Sequence, residues 1–373
     1  MAFMYFEISR KELLIPLKMI TGVVEQRQTL PILANTLVSV KDNTLHLTAT
    51  DAEVEIVCHL PLESGNLGDD SNGDTTIPAR KFFDICKSLS DEVVIQVKTE
   101  DNQATIKAGK SKFKLQTLPA EDFPETPKMT EQTEFNISQH NLKNLLSKTS
   151  FCVATNDVRY YLTGLLLEIA EGSISLVGTD GHRMAVAQHE FESNQTARVI
   201  IPRKAVLELS KLLTDSDTEV KVLVNENHIR FELSDAVMSS KLIDGNFPDW
   251  HTVIPQNPDK MVIVETSLLK QSLSRASILS NEKYKGVRLQ LSTNLLTISA
   301  KNAYQEEAEE ILEVEYAGSD ELEIGFNGTY ILDALNVTST KMVQLALSDS
   351  NSSCLITEEN NEENKFIVMP MRL

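Results

Sequence analysis

The chain repeats itself. Three amphipathic helix patterns open on Ser9, Ser138 and Ser267, with consecutive serines 129 residues apart in a chain of 373. A period of this kind means tandem copies of one structural unit, so the chain must fold as an array of like modules. Serine suits the position before a helix because its hydroxyl accepts from a backbone N–H that the first turn leaves free. The first copy, Ser9-Arg-Lys-Glu12, has the form of a capping box, in which the glutamate returns the bond. Pro16 lies inside the first pattern, and its missing N–H predicts a kink or an early break there.

An alternating, β-branched hairpin follows each pattern. The first runs from Leu37 to Thr50 around Asp42-Asn43, the second from Leu165 to Gly178 around Glu171-Gly172, the third from Val287 to Ala300 around Thr293-Asn294. Polar turn residues between period-two runs are the signature of such hairpins. They end on matching corners: Thr50-Asp51, Thr179-Asp180 and Lys301-Asn302. A second helix then follows in each copy. Ile77-Pro-Ala-Arg-Lys81 leads into one over 82–89, Ile201-Pro-Arg-Lys204 into one over 205–213, and Gly325-Phe-Asn-Gly328 into one over 330–337. Phe123-Pro124 and Phe247-Pro248 close the first two copies. The fold class is therefore α+β, in three tandem units near 1–128, 129–257 and 258–373, each with two helices against mostly antiparallel strands.

With 41% hydrophobic residues the chain can bury real cores. Its 35 basic residues against 54 acidic ones leave −19, which argues against coating nucleic acid with the whole surface. The distribution is more telling. The six predicted helices (9–21, 79–89, 138–152, 203–213, 267–279 and 328–337) carry +2 each, except −1 for the last, a total of +9 that leaves −28 elsewhere. Lysine is a good helix former, but glutamate is equally good, and these helices hold only Glu12, Asp84, Glu208 and Asp333 as acids. Helices lining one concave face would attract duplex DNA through its phosphates, without reading its sequence. An acidic scaffold that never meets DNA leaves that segregation unexplained.

No apolar run approaches the ~18 residues of a membrane span, and no membrane partner is expected. Met1 to Phe6 is apolar only briefly before Glu7 and Arg10, unlike a secretory leader. Cys58, Cys86, Cys152 and Cys354 form no CxxC pair, which favours reduced thiols in the cytoplasm over a disulfide framework or zinc cage. Neither cofactor nor metal is expected.

Two motifs invite catalytic readings. Thr179-Asp-Gly-His-Arg183 sets His182 beside Asp180, as a β-rich hydrolase or nuclease would need. Neither a serine nor a cysteine stands out as nucleophile, and no metal-ligand spacing surrounds the pair. Gly109-Lys-Ser111 looks like the tail of a phosphate-binding loop, but Ala104 stands where the first glycine belongs, and the context is strand to strand. Lys110, Lys112 and Lys114 share one strand face, while Ser111, Phe113 and Leu115 share the other. Between Lys301 and Lys341 there is no basic residue, and Glu306, Glu307, Glu309, Glu310, Glu313 and Glu315 cluster. Read alone, these are either two halves of a seam or a guarded edge and a solvated acidic face.

Stretches spread over the whole chain resemble the bacterial DNA sliding clamps, the β subunits of the replicative DNA polymerase III. They are Thr29-Leu-Pro-Ile-Leu33, Ile77-Pro-Ala-Arg-Lys-Phe-Phe-Asp-Ile-Cys86, Asp157-Val-Arg-Tyr-Tyr161, Thr179-Asp-Gly-His-Arg183, Ile278-Leu-Ser-Asn-Glu282, Glu306-Glu-Ala-Glu-Glu-Ile311 and Met369-Pro-Met-Arg-Leu373. The resemblance implies a head-to-tail homodimer closed into a ring around duplex DNA, with helices lining the hole and β-sheets outside. It implies a non-enzymatic processivity factor that tethers the polymerase and depends on an external ATP-driven loader.

The resemblance also implies roles for particular residues. Arg27, Arg80, Asn156, Arg159, Tyr160, Tyr161 and Arg203 would touch DNA, although Tyr160 and Tyr161 also read as ordinary strand residues. Phe113 and Leu115 would pack on Ile278 and Leu279 at the dimer interface, with Lys110 and Lys112 facing Glu306, Glu307 and Glu310. An apolar groove between the second and third units would take short hydrophobic motifs. Those motifs would come from the polymerase III α subunit, the clamp loader, other polymerases and repair proteins. Its residues would be Leu162, Thr179, Gly181, His182, Arg183, Met184, Pro248, Val253, Asn327, Tyr330, Ser353, Ile367, Met369, Pro370, Met371 and Arg372. Met184, where leucine is usual in the family, Thr252 and Asn351 depart from the family pattern.

Overall fold

The structure, a computed structural model, describes residues 4–25, 30–63, 72–100, 102–125, 129–130, 133–170 and 172–372. Its first copy runs β1 (Met4–Ser9), α1 (Arg10–Thr21), β2 (Asn35–Lys41), β3 (Thr44–Thr50), β4 (Val54–Pro61), β5 (Gly73–Pro78), α2 (Ala79–Ser88), β6 (Val94–Glu100), β7 (Gln103–Ala108) and β8 (Ser111–Gln116). The same order returns as β9 (Thr133–Ser138), α3 (Gln139–Thr149), β10 (Gly164–Ala170), β11 (Ser173–Thr179), β12 (Arg183–Glu190), β13 (Ala197–Pro202), α4 (Arg203–Leu212), β14 (Glu219–Val224), β15 (His228–Glu232) and β16 (Ala236–Lys241). It returns again as β17 (Lys260–Glu265), α5 (Thr266–Ser277), β18 (Gly286–Ser292), β19 (Leu295–Lys301), β20 (Glu307–Glu313), β21 (Leu322–Asn327), α6 (Gly328–Val337), β22 (Met342–Leu347), β23 (Cys354–Glu358) and β24 (Asn361–Val368).

The strands form four antiparallel sheets, ordered β1-β6-β7-β8, β5-β2-β3-β4-β16-β15-β14-β9, β13-β10-β11-β12-β24-β23-β22-β17 and β20-β19-β18-β21. Each long sheet crosses from one copy to the next. Val57 faces Val237 where β4 meets β16, and Met184 faces Ile367 where β12 meets β24. A strand left at a sheet edge presents unpaired N–H and C=O groups, so two copies that share a ladder satisfy each other. The consequence is that the copies are not the compact units. Those are Met1–His140 with Lys204–Leu242, and Asn141–Arg203 with Ile243–Leu373. The central copy contributes to both.

Local chemistry explains most element boundaries. Ser9 Oγ accepts from the Glu12 N–H at 3.2 Å, as the cap predicts, but Glu12 Oε2 accepts from the Ser9 hydroxyl at 2.5 Å rather than from its backbone N–H. The expected break at Pro16 does not occur. Helix α1 continues to Thr21 because Pro16 lies on its buried stripe with Leu13, Leu17 and Ile20, and that burial outweighs one missing bond. The third serine is also corrected. Helix α5 begins at Thr266, so Ser267 sits inside the first turn and donates to Glu265 Oε1 at 2.6 Å. Glu265 holds the place that Ser9 and Ser138 hold. Asp42 and Asn43 both adopt positive φ, 49° and 60°, giving a two-residue turn whose twist suits the β2–β3 hairpin. Glu171, in the matching turn, lies outside the described residues.

In the first unit α1 packs beside α2, which buries Ala79, Phe82 and Cys86. In the second, α5 and α6 bury Leu269, Leu273, Ile331 and Leu335 against Leu289 and Phe326. One ion pair lies deep in that second unit. Lys148 Nζ of α3 meets Glu358 Oε1 of β23 at 2.9 Å, with the two residues only 5% and 3% exposed. The four cysteines are free and buried. Burial pushes the thiols of Cys58, Cys86 and Cys354 up to about 12, which leaves them protonated and unreactive at neutral pH. Among the described residues no helix is long and apolar enough to cross a membrane.

Candidate functional site

The corner after each hairpin is built by the same kind of bond, a side-chain oxygen accepting from backbone N–H groups just ahead of it. In the first copy Asp51 Oδ1 accepts from the N–H groups of Glu53 and Val54, at 2.9 and 2.7 Å. In the second, Asp180 Oδ1 accepts from those of His182 and Arg183, at 2.9 and 3.0 Å, and Thr179 Oγ1 donates to the Arg183 carbonyl at 2.7 Å. In the third, Asn302 Oδ1 serves Tyr304 and Glu306. Asp180 is therefore a turn former. Its second oxygen accepts from Arg183 Nε at 3.0 Å, so no free carboxylate edge remains to polarise His182, whose side chain is exposed. Gly109 likewise sits in the tight turn between β7 and β8, at φ 57°, with no helix following.

Arg183 pins this corner. Beyond Asp180, it donates to Asp333 Oδ2 at 2.5 Å and to the Phe151 carbonyl at 3.0 Å, and its guanidinium lies 4.4 Å from the Tyr330 ring centroid. One cation between two carboxylates leaves the group with a formal charge of −1. Burial works to lower the basicity of the Arg183 guanidinium, but neighbouring Cys152, Asp333 and Asp180 together hold it above its ordinary value.

Beside this pin lies an apolar cavity of about 120 Å³. Its floor belongs to a cluster that includes Leu166, Val177, Val186, Phe247 and Trp250. Trp250 is seated by a 3.0 Å bond from Nε1 to Glu168 Oε2, and Arg198 pairs with the same carboxylate. Of the expected groove residues, Leu162, Thr179, Gly181, Arg183, Met184, Pro248, Val253, Ile367 and Met369 line this cavity. Asn327 instead caps α6, accepting from Thr329 N–H at 2.9 Å, and Tyr330 stacks behind Arg183. Ser353 precedes β23. Met371 and Arg372 line a second, broader cavity of about 1080 Å³ with Tyr284, Arg288 and Lys301. Pro370 lies between the two methionines, in a tail held by bonds from Met369 N–H to the His182 carbonyl and from Met371 N–H to the Gly325 carbonyl, 2.9 and 2.8 Å.

Phe247, Trp250, Arg159 and Tyr161 also line the small cavity, although the sequence reading placed none of them there. Phe247 and Trp250 flank Pro248, the only signal available. Arg159 is gripped by Asp157 through Nε and Nη2 at 3.0 and 2.8 Å, which holds that carboxyl down at about 2. It lies over Gly181, where a Cβ would stand 2.7 Å from Nη2 and where φ is +85°. Asn156 and Tyr160 are exposed on the same segment.

With the observed helix boundaries the charges keep their +9 total. Several are internally engaged. Lys148 is buried against Glu358, Lys204 bonds Glu25 at 2.6 Å and also pairs with Asp51, and Arg275 Nε meets Glu310 Oε1 at 2.8 Å. Lys11, Lys18, Arg80, Lys81 and Lys87 remain exposed on α1 and α2, with Arg80 steadied by the Val24 carbonyl at 2.7 Å. Arg203 begins α4, its Nε buried without a hydrogen-bond partner. Arg27 lies outside the described residues.

The two expected seam surfaces are both sheet edges. Strand β8, carrying Lys112, Phe113 and Leu115 just after Lys110, ends one four-stranded sheet, and β20 ends the other. Ile311 of β20 is 64% exposed, and just after α5 Ile278 is 76% exposed while Leu279 is half-buried. Glu307 pairs with Lys301 at 2.5 Å, and Glu306 accepts from Asn302.

Three like modules, joined in series by two shared sheets and carrying basic helices and an apolar groove, define a clamp-type architecture. Family profiles described as the N-terminal, central and C-terminal domains of the DNA polymerase III beta subunit match residues 4–127, 136–249 and 251–372. The chain belongs to that family, the bacterial beta sliding clamps. It is 48% identical over 372 residues to the beta sliding clamp of Pseudomonas aeruginosa, covering 99% of this chain and 100% of the relative. It is 45% identical over 371 residues to that of Escherichia coli K12, again covering 99% and 100%. The crystal structure of the Pseudomonas aeruginosa clamp bound to griselimycin matches with a TM-score of 0.95, over 99% of this chain and 100% of that one. The Bacillus subtilis clamp, 28% identical, matches at 0.93 over 99% of each chain.

Proposed function

We propose that the chain is a non-catalytic processivity subunit that works as a ring of two copies around duplex DNA in the cytoplasm. Its three domains span 1–128, 129–257 and 258–373. Edge β8 of each copy meets edge β20 of the other, with Phe113 and Leu115 against Ile278 and Leu279, and with Lys110 and Lys112 toward Glu306, Glu307 and Glu310. The observation that carries this reading is the pair of open edges of opposite character. One bears lysines beside the half-buried Phe113 and Leu115, and the other bears acids beside the exposed Ile278 and Ile311. Such a contact joins different surfaces of identical chains, and it closes only when the rotation between them returns to the start.

DNA is held by topology and by sequence-independent contacts from Arg27, Arg80, Asn156, Arg159, Tyr160, Tyr161 and Arg203. Protein loaded on nicked circular DNA should therefore stay bound through a salt wash and be released when the circle is linearised. Retention on linear DNA with free ends would refute encirclement.

The apolar cavity beside Arg183 takes short hydrophobic motifs from the polymerase III α subunit, the clamp loader, and other polymerases and repair proteins. Met184 and Met369 give the cavity adaptable walls, which suits several partners. Deleting 369–373 removes one wall together with both backbone ties of the tail. Binding of a labelled motif peptide should fall at least about tenfold, roughly 1.4 kcal/mol, with sedimentation unchanged. Undiminished affinity would reject the assignment.

A further inference from the structure

On the long sheet of the first unit four polar side chains fall in one row. Asp74 of β5 faces Ser39 of β2, Ser39 faces His46 of β3, and His46 faces His59 of β4, each in direct antiparallel register. Directly opposed residues project from the same face of a sheet about 5 Å apart. The two imidazoles touch. Nδ1 of His46 lies 2.8 Å from Nδ1 of His59, with the rings edge-on and their centroids 4.9 Å apart. The other two members are under-satisfied. Ser39 Oγ and Asp74 Oδ1 are buried and lack a hydrogen-bond partner, although Lys41 Nζ stands 3.5 Å from that Asp74 oxygen. A buried polar atom without a protein partner is costly unless water reaches it.

We propose that His46 and His59 form a two-imidazole chelate for a divalent first-row transition ion, with water completing its shell. Neutral imidazole is the preferred side-chain ligand for Zn²⁺, Cu²⁺ and Ni²⁺. The surroundings favour the neutral form of both rings. Burial lowers the basicity of each, reinforced by the His59 ring for His46 and by Arg230 for His59, against smaller opposing pulls from Asp74 and Asp235.

The present ring-to-ring bond uses one Nδ1 proton. Chelation through both Nδ1 atoms moves that proton to Nε2 of the same ring, a tautomer change with no net proton loss. Ligands on a tetrahedral ion stand about 3.3 Å apart, so the rings need to part by roughly 0.5 Å. Among the described residues no group of three or more His, Cys, Asp or Glu side chains is arranged around one metal position. The site therefore has two protein ligands and belongs to the micromolar class rather than to tight structural zinc. Its location on the ladder between β3 and β4 means that the ion would pin those two strands together.

Isothermal titration of the full-length protein with ZnCl₂ at neutral pH is expected to show one micromolar site per chain, and MgCl₂ should give no such signal. His46→Gln and His59→Gln should each weaken zinc roughly tenfold or more. The double variant should lose little beyond either single one, because one imidazole alone cannot chelate. The other five of the seven histidines stay in every variant, so residual binding is theirs. Circular dichroism of the metal-free variants separates loss of ligand from loss of fold. Should a variant fail to fold, zinc-dependent shifts of the two imidazole ring protons in the parent protein decide instead. Zinc binding unchanged by both substitutions, no micromolar site in the parent, or ring protons that ignore zinc would each overturn the site.

Discussion

Glu358→Ala is expected to lower the stability of the second compact unit by about 3–5 kcal/mol, because it strands Lys148 as a buried cation without a counter-ion. The carboxylate accepts from Lys148 Nζ, from the backbone N–H and hydroxyl of Ser339, at 2.7 and 2.9 Å, and from Asn364 Nδ2 at 2.8 Å. Burial pushes its pKa up, yet the bonds from the Ser339 N–H, Lys148 and Asn364 outweigh that and hold it below the usual carboxylate range. The sign of the pH dependence follows. A carboxyl whose folded pKa is depressed contributes stability that is fully present above its unfolded value, about 4.3, and is lost as pH falls through the folded value. Urea unfolding at neutral pH should show the full gap between parent and variant, and the gap should shrink below pH ~4. A double variant, Lys148→Met with Glu358→Gln, should recover most of the loss, because no charge is then left buried and the amide oxygen still accepts from Ser339 and Asn364. A Glu358→Ala cost under about 1 kcal/mol would show that the network carries little.

Ile278→Ala combined with Leu279→Ala is expected to convert dimer into monomer. Burying an exposed aliphatic side chain is worth about 1.5–3 kcal/mol. Truncating both therefore removes about 3 kcal/mol per interface, or roughly two decades in the dissociation constant. A closed two-copy ring has two such interfaces, so the loss is counted twice. Ile278 and Leu279 follow directly on α5 and lie outside the buried stripe of that helix, Leu269, Leu273 and Ala276, so the variant should keep its fold and melting temperature. Sedimentation at low concentration reads the result, and a persisting dimer mass would place the seam elsewhere.

Helix and hairpin positions were legible because they are local. A 3.6-residue stripe, a period-two run, or an Asp42-Asn43 turn carries its meaning within a few residues. The matching corners were legible for the same reason, since Asp51, Asp180 and Asn302 each bond backbone groups a few positions on. The joints between copies were not. Whether β4 pairs with β16 depends on a register set across some 180 residues of chain, and no local pattern encodes it. Lys148 shows the same limit. It reads as one more cation on a basic helix, and only the arrival of β23 beneath α3 makes it a buried partner. Ser267 misled because a serine within the first turn has the same one-letter appearance as a serine before it. The groove was half legible. Met184, Ile367 and Met369 stand in recognisable motifs, whereas Phe247 and Trp250 are indistinguishable in sequence from core aromatics.

The shared ladders carry a further consequence. A fragment cut at residue 128 would keep β4 and lose β16, baring five consecutive rungs, Val54 to Cys58, at what had been the middle of a sheet. A naked interior edge of that kind recruits whatever strand it meets, including its own copy in a second fragment. The boundary between repeats is thus a poor place to cut the protein. Excising a single repeat invites aggregation, and a protease working on the folded chain would be expected to leave pieces that do not coincide with the repeats.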